Sequence, residues 1–426
     1  MAAARRRFYG EFFSCIGILI ISAFTLMGCG GGSTNNAASS TNPATSIPSP
    51  SSPSPSASQP GSSGSSNSGS SGAGAGTGAG SGSGSGSSST TTSAIAYVSG
   101  GNNNFYGIRV DGSSNVSTVS GSPYALPGRA NSFASTGNLL YVASVSANFT
   151  TGTISSFHAD SNGALSPLTS TPLNTLGASA ITIDSTGKFL YASANSAPGP
   201  SGSQNAVYGF AIDQNSGALS ALAGSPWYLT GGMGPAQRPR VSANGSWFCV
   251  DMELARTNEG AQCYPRHSDG SIDGGTFVQP AVSDTSICGL AITADSTHMI
   301  YTNCQQSVFS TLIQSANNGT PTPSGGSGAS EVAIDPTGRW LVLTNASSGN
   351  LGLFSVAPGD GLAAAGAPVA TGSRPDHIAF SRSGTYIFVT SDSGTMVFSF
   401  NPSNGAVAAL NAANPAPGIS GELATM

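Results

Sequence analysis

The chain has 426 residues, of which only 7% are charged and 38% hydrophobic, with 58 glycines, 26 prolines and a formal net charge of −5. Charge far below the usual quarter, combined with abundant Gly and Pro, leaves two classes: a membrane protein or a turn-rich β protein. The only long apolar stretch is at the extreme N-terminus, which excludes the first; no basic block follows it, so nucleic-acid binding has no electrostatic support.

Residues 1–28 read as an export signal. Arg5, Arg6 and Arg7 form a positive start, and Ile16 to Met27 is apolar but short for a bilayer span. The segment ends in Leu26-Met27-Gly28-Cys29, which resembles the lipobox of bacterial lipoproteins, with Cys29 as the lipidated residue. An ordinary signal peptide or short anchor is the alternative. Arg5-Arg6-Arg7-Phe8 also resembles a twin-arginine signal, so Sec and twin-arginine export both stay open.

Residues 29–93 begin with Cys29 and continue almost entirely in Gly, Ser, Thr, Ala, Asn and Pro, without a charge. Such a segment cannot bury enough surface to offset its ordering entropy and is expected to be a disordered linker. A Gly/Ser-rich coil of this length reaches about 40–50 Å. Lipid and tether together place the protein at the bacterial cell envelope, on the outer membrane or cell surface, facing periplasm or exterior.

Residues 94–426 repeat one phrase: a short apolar strand, a polar turn with Gly, and a second strand ending in an aromatic. Ile181-Thr-Ile-Asp-Ser-Thr-Gly-Lys-Phe-Leu-Tyr191 matches Val332-Ala-Ile-Asp-Pro-Thr-Gly-Arg-Trp-Leu-Val342. The final slot falls at Tyr97, Tyr141, Tyr191, Cys249, Tyr301, Val342 and Phe388. A second phrase follows each first one, an aromatic strand running into a turn such as Asn215-Ser-Gly-Ala-Leu219. Period-2 alternation bounded by Gly, Asn and Asp reads as β. Four short strands in every 40–50 residues read as propeller blades. The expectation is an all-β, seven-bladed β-propeller of four-stranded blades, its first blade completed by a strand from Gly418 to Met426.

Four cysteines lie in the repeats. Cys249 and Cys263 flank one inter-strand loop, and Cys288 and Cys304 flank a turn centred on Ser296. Disulfides Cys249–Cys263 and Cys288–Cys304 are expected, in keeping with an oxidising compartment. A metal site or catalytic thiol is the competing reading, but there is no Cys-x-x-Cys and no His at ligand spacing, so neither metal nor other cofactor is expected.

The phrases Asp335-Pro-Thr-Gly-Arg-Trp-Leu341, Asp184-Ser-Thr-Gly-Lys-Phe-Leu-Tyr-Ala-Ser193, Asn215-Ser-Gly-Ala-Leu-Ser220 and Gly224-Ser-Pro226 resemble the lactonase-type seven-bladed propeller family, which includes a bacterial 6-phosphogluconolactonase. The family often carries a His-Pro-His-like cluster before an inner strand. Arg374-Pro375-Asp376-His377 is the best match here: the proline and one His fit, while Arg374 and Asp376 depart.

In a propeller the innermost strands start around the mouth of a central channel. The repeat frame puts Ala130, Ala180, Arg238, Leu290, Glu331 and His377 at one such position. Arg129, Ser179, Gln237, Gly289, Ser330 and Asp376 are at its neighbour. In so weakly charged a chain this gathers charge at one opening, as a small anionic or hydroxylated ligand requires. Arg129, Arg238 and Arg374 are the candidate ligand holders. Glu331, His377 and Asp376 are the candidate catalytic groups, with Glu331 or His377 as general base on water attacking a lactone carbonyl. The alternative is a non-catalytic surface propeller that binds a small molecule or a protein, since the fold hosts both roles. The expected state is a monomer held to the membrane by its lipid. His158, His267 and His298 are expected at the surface, while Trp227, Trp247 and Trp340 are expected in core or blade packing, with Trp227 the one that exposure would suit.

Overall fold

The computed structural model describes residues 94–426, apart from 102, 147–150, 174–177, 200–201, 230–235, 255–257, 275–286, 315–318, 358, 360 and 411–420. The signal, Cys29 and the linker lie outside the described residues. Among those described there is no helix long and apolar enough to cross a membrane.

The strands form seven antiparallel sheets. The inner strands are Leu423–Thr425, Arg129–Thr136, Ala178–Ile183, Ala236–Val241, Gly289–Ile292, Ala329–Ile334 and Pro375–Phe380, for blades one to seven in turn. Each touches the next, and Leu423–Thr425 touches both Pro375–Phe380 and Arg129–Thr136, so the ring is closed. The closing strand pairs antiparallel with Ala94–Ser99, with Val98 opposite Leu423 and Ala96 opposite Thr425. The predicted completion of the first blade by the tail is therefore present. The fourth blade departs from the four-strand plan: three strands pair among its described residues, followed by a single bridge between Arg266 and Ile272.

The recurring polar residues of the repeat build its turns. In the third blade the Asp184 carboxylate accepts from the backbone N–H groups of Lys188 and Phe189, at 3.0 and 2.9 Å, and from the Thr186 hydroxyl at 2.7 Å. Asp335 does the same for Arg339 and Trp340 in the sixth blade, at 2.9 and 2.7 Å. The glycine ending each phrase, Gly187 or Gly338, has φ of 72°, where a side chain would be strained.

Apolar residues alternate along the strands and pack between blades. Seven buried clusters fill the seven interfaces, so most of the core lies between sheets rather than within one layer. The aromatic slot faces the following blade. In three blades its hydroxyl donates to the outer-turn carbonyl of the next: Tyr97 to Gly163 at 2.6 Å, Tyr141 to Gly217 at 3.2 Å and Tyr191 to Gly270 at 2.8 Å. A buried phenol needs such a partner. Burial raises all three hydroxyls, Tyr191 to about 12.

Two frame positions need correction. In the fifth blade Ile292 pairs with Met299, as Ile183 pairs with Leu190 in the third. The slot equivalent to Tyr191 is therefore Ile300, packed toward the sixth blade, while Tyr301 faces the fourth. A one-residue offset moves a strand residue to the opposite face. In the second blade Thr136 pairs with Leu139 around a two-residue turn, so the inner strand is displaced by two positions. Trp227 is half-buried and packs against the Tyr191 and Phe248 cluster.

Both predicted disulfides are present, Cys249–Cys263 with an S–S distance of 2.04 Å and Cys288–Cys304 with 2.07 Å. The first joins directly opposed residues of neighbouring strands.

Candidate functional site at the channel mouth

Five inner strands carry an irregularity at their starts: register breaks fall between Ala130 and Ser132, Ala178 and Ala180, Gln237 and Arg240, Ala329 and Val332, and Pro375 and Ile378. A bulge of this kind re-aims a side chain. Arg238, Glu331 and His377 sit within three of these breaks. Aligned by observed pairing, the equivalent residues are Ser132 in the second blade, Gly289 in the fifth and Glu422 on the closing strand. Ala130 and Leu290, assigned to this position by the sequence frame, are displaced from it by two residues and one.

Arg238 is the hub. Its Nη1 lies 2.8 Å from Asp251 Oδ2 and its Nε 3.3 Å from Glu331 Oε2. Nη1 also donates to the Ile287 carbonyl at 3.4 Å, next to the Cys288–Cys304 disulfide. Arg240 Nη2 binds the other Glu331 oxygen at 3.2 Å, and its Nε donates to Leu290 O at 2.9 Å. The side chains of Glu331 and Asp251 are only 8% and 9% exposed, so these pairs are shielded from solvent screening. Burial works against the Arg238 charge, but Asp251, Glu331 and Glu422 outweigh it and hold the guanidinium charged beyond its ordinary range. Burial pushes the Asp251 carboxyl up, against the pull of Arg238. Arg238 has φ of 45° and precedes a proline, a backbone state that costs of order 1–3 kcal/mol.

His377 stands on the other side of Glu331. Its Nδ1 is 3.9 Å from Glu331 Oε2 and 3.7 Å from Glu422 Oε1, and its Nε2 is 3.5 Å from Asp376 Oδ2. Burial disfavours the imidazolium, but Glu422, Asp376 and Glu331 together exceed it and raise the His377 pKa above its ordinary 6.5. The Asp376 and Glu422 side chains are 39% and 36% exposed, so solvent and ligand reach them.

The remaining predicted residues lie apart from this hub. Arg374 is exposed and 3.9 Å from Asp392, and its φ is 35°. Arg129 occupies the corresponding register in the second blade, half-buried, with its Nε lacking a hydrogen-bond partner. The side chain of Ser179 lies outside the described residues. His158 and His267 are exposed as expected, with His267 3.0 Å from Asp273, while His298 is half-buried. Among the described residues no group of three or more His, Cys, Asp or Glu is placed to hold a metal ion.

Sequence reasoning missed Asp251, Arg240 and Glu422. Asp251 is a carboxylate that follows the apolar run Trp247-Phe-Cys-Val250 within a second strand, which was a usable signal. Glu422 follows from the ring closure itself: the tail supplies an inner strand, so the residue before Leu423 takes the mouth position.

The class defined by this arrangement is a closed seven-bladed propeller with a charged, partly buried cluster at one end of its channel. The family model "Lactonase, 7-bladed beta-propeller" matches residues 297–420, a span that contains Glu331, Asp376 and His377. Similar solved structures include a protein of Bacteroides fragilis provisionally assigned as a 6-phosphogluconolactonase, with 15% identity, a TM-score of 0.58, and coverage of 80% of this chain and 99% of that one. A periplasmic gluconolactonase of Pseudomonas aeruginosa is 17% identical, with a TM-score of 0.58 and coverage of 78% and 99%. A protein of Lactobacillus plantarum is 11% identical, with a TM-score of 0.60 and coverage of 78% and 99%. At these identities the structures show the shared fold. No curated protein sequence matches the chain. The chain is a seven-bladed β-propeller whose residues 297–420 match the lactonase propeller model.

Proposed function

We propose that this protein is an exported lipoprotein that hydrolyses a small lactone at the channel mouth. The observation that carries the proposal is His377, held among Asp376, Glu331 and Glu422 at the starts of three adjacent inner strands, within 3.5 to 3.9 Å of each. The family match and the structural neighbours support the same chemistry.

The groups divide the work by their surroundings. Glu331 has both oxygens engaged by arginines and serves as the clamp that positions Arg238 and His377. Asp376 is the accessible carboxylate and takes the proton from a water, which adds to the lactone carbonyl carbon. His377, kept protonated by its acidic neighbours, donates to the ring oxygen as the acyl C–O bond breaks. The product is an open hydroxy acid, whose carboxyl ionises to solvent, and the proton on Asp376 returns to His377 Nε2, 3.5 Å away, which restores both groups. Four carboxylates (Asp251, Glu331, Asp376 and Glu422) face Arg238, Arg240 and His377, and both arginines are already bound to acids. That balance favours an uncharged, hydroxylated lactone over a phosphorylated one.

The lipid on Cys29 and the linker through residue 93 complete the proposal, holding the propeller clear of a membrane. Globomycin treatment of the expressing bacterium tests that part: accumulation of an unprocessed precursor supports lipidation, and unchanged processing removes it. A panel of sugar and other small lactones, assayed by proton release, tests the chemistry. The binding-propeller reading takes over if none is turned over while a lactone or hydroxy acid still perturbs the His377 resonance.

A further inference from the structure

We propose that Glu422, delivered by the ring-closing C-terminal strand, is a positioning residue for His377, so that the site is complete only when the ring is closed. The proposal rests on the assignment of His377 to the site and adds a residue that lies beyond the span matched by the family model, which ends at residue 420.

The geometry is specific. Leu423 is the first paired residue of the closing strand, and Glu422 precedes it at the register that carries Glu331 in the sixth blade and His377 in the seventh. The Ser99 N–H donates to the Glu422 carbonyl at 3.2 Å, which anchors the backbone at this point. The preceding Gly421 carbonyl accepts from the Thr390 hydroxyl at 3.0 Å, tying the strand to the seventh blade. Thr390 also accepts from the His377 N–H at 3.2 Å, so the closing strand and the His377 backbone share one partner. The Glu422 carboxylate then meets His377 Nδ1 at 3.7 Å.

The charged groups facing the imidazole come from four elements: Glu331 from the sixth blade, Asp376 from its own strand, Glu422 from the closing strand and Arg238 from the fourth blade. Arg238 opposes protonation, and Glu331 is shared with two arginines. Among the described residues Glu422, like Asp376, is within ion-pair distance of no cation but His377, and of the three carboxylates it pulls most strongly toward the imidazolium. It therefore holds Nδ1 protonated and leaves Nε2 to face Asp376 and the ligand.

The test is the proton NMR titration of His377 in the purified protein, assigned by its loss in His377→Asn. Only four histidines are present, so the spectrum is simple. In Glu422→Gln the His377 midpoint moves to lower pH; Glu422→Asp keeps part of the shift. The three remaining histidines do not move. Turnover at neutral pH falls on the order of 10- to 100-fold as the acid is lost, and partly recovers at lower pH. An unchanged His377 midpoint in Glu422→Gln overturns the proposal. Should that variant fail to fold, a wild-type midpoint at or below the ordinary histidine value overturns it equally. The titration needs no substrate: a shifted midpoint without lactone turnover rejects the hydrolase reading and keeps this one.

Discussion

Replacing Arg238 by Met removes the hub of the channel-mouth cluster while retaining much of its aliphatic bulk. In the wild type Arg238 holds Asp251 at 2.8 Å and Glu331 at 3.3 Å, both nearly excluded from solvent. Asp251 Oδ1 already lacks a hydrogen-bond partner, so the substitution strands a buried carboxylate. Removing one partner of a buried pair costs about 3–5 kcal/mol. The expected loss has a pH signature. Burial already raises Asp251, and without Arg238 its folded pKa rises further above the unfolded value. The folded variant then binds a proton more readily than the unfolded chain, so its stability falls as pH rises through the window between those two values. The deficit against wild type is therefore largest at neutral pH and shrinks as the pH drops through the carboxylate range. Arg238→Gly adds a control, because glycine adopts φ of 45° without strain and recovers about 1 kcal/mol relative to Met. Urea unfolding at several pH values measures both. A deficit below about 1 kcal/mol at neutral pH, or one independent of pH, would refute the claim that this cluster is a buried, mutually dependent network.

Other outcomes follow from the same contacts. His377 has a folded pKa above 6.5, so the stability it contributes is fully present below that value and is lost as pH rises through the raised one; His377→Asn should flatten that part of the stability–pH curve. Replacing Cys249 and Cys263 by Ser opens a loop of 14 residues and should cost up to about 3 kcal/mol, read by thermal unfolding. Tyr191→Phe removes the donor to Gly270 and leaves Arg266 Nε, 2.6 Å from that hydroxyl, without its acceptor; about 1–3 kcal/mol should be lost. Deleting residues 422–426 exposes the Ala94–Ser99 edge along Ala96, Tyr97 and Val98, and size-exclusion chromatography should show dimers or larger species.

The parts legible in the sequence are those fixed by local chemistry. The Asp184 and Asp335 turns could be read because the carboxylate, hydroxyl and glycine that build them lie within a few residues. The disulfides could be read because each pair flanks a single hairpin. The clustering of Arg238, Glu331 and His377 could be read because repeat phase survives across blades. The frame failed where turn length or face changed. The short turn at Gly137 displaces the second inner strand, and the aromatic Tyr301 drew the fifth blade's slot onto the wrong face. Arg238 was legible as a mouth residue but not as a saturated one. Its partners come from a second strand of its own blade and from a strand two blades away, so no local pattern announces them. Glu422 depends on the ring being closed, a property of the whole chain.

The most direct test of the account is the hydrolysis of uncharged sugar lactones by wild type and by His377→Asn, followed as proton release with the spontaneous rate subtracted. The account predicts turnover by wild type and a loss on the order of 10²–10⁴-fold in the variant, the range expected for a positioned acid–base group. Equal rates in the two proteins, or no wild-type turnover above the spontaneous rate, would contradict it.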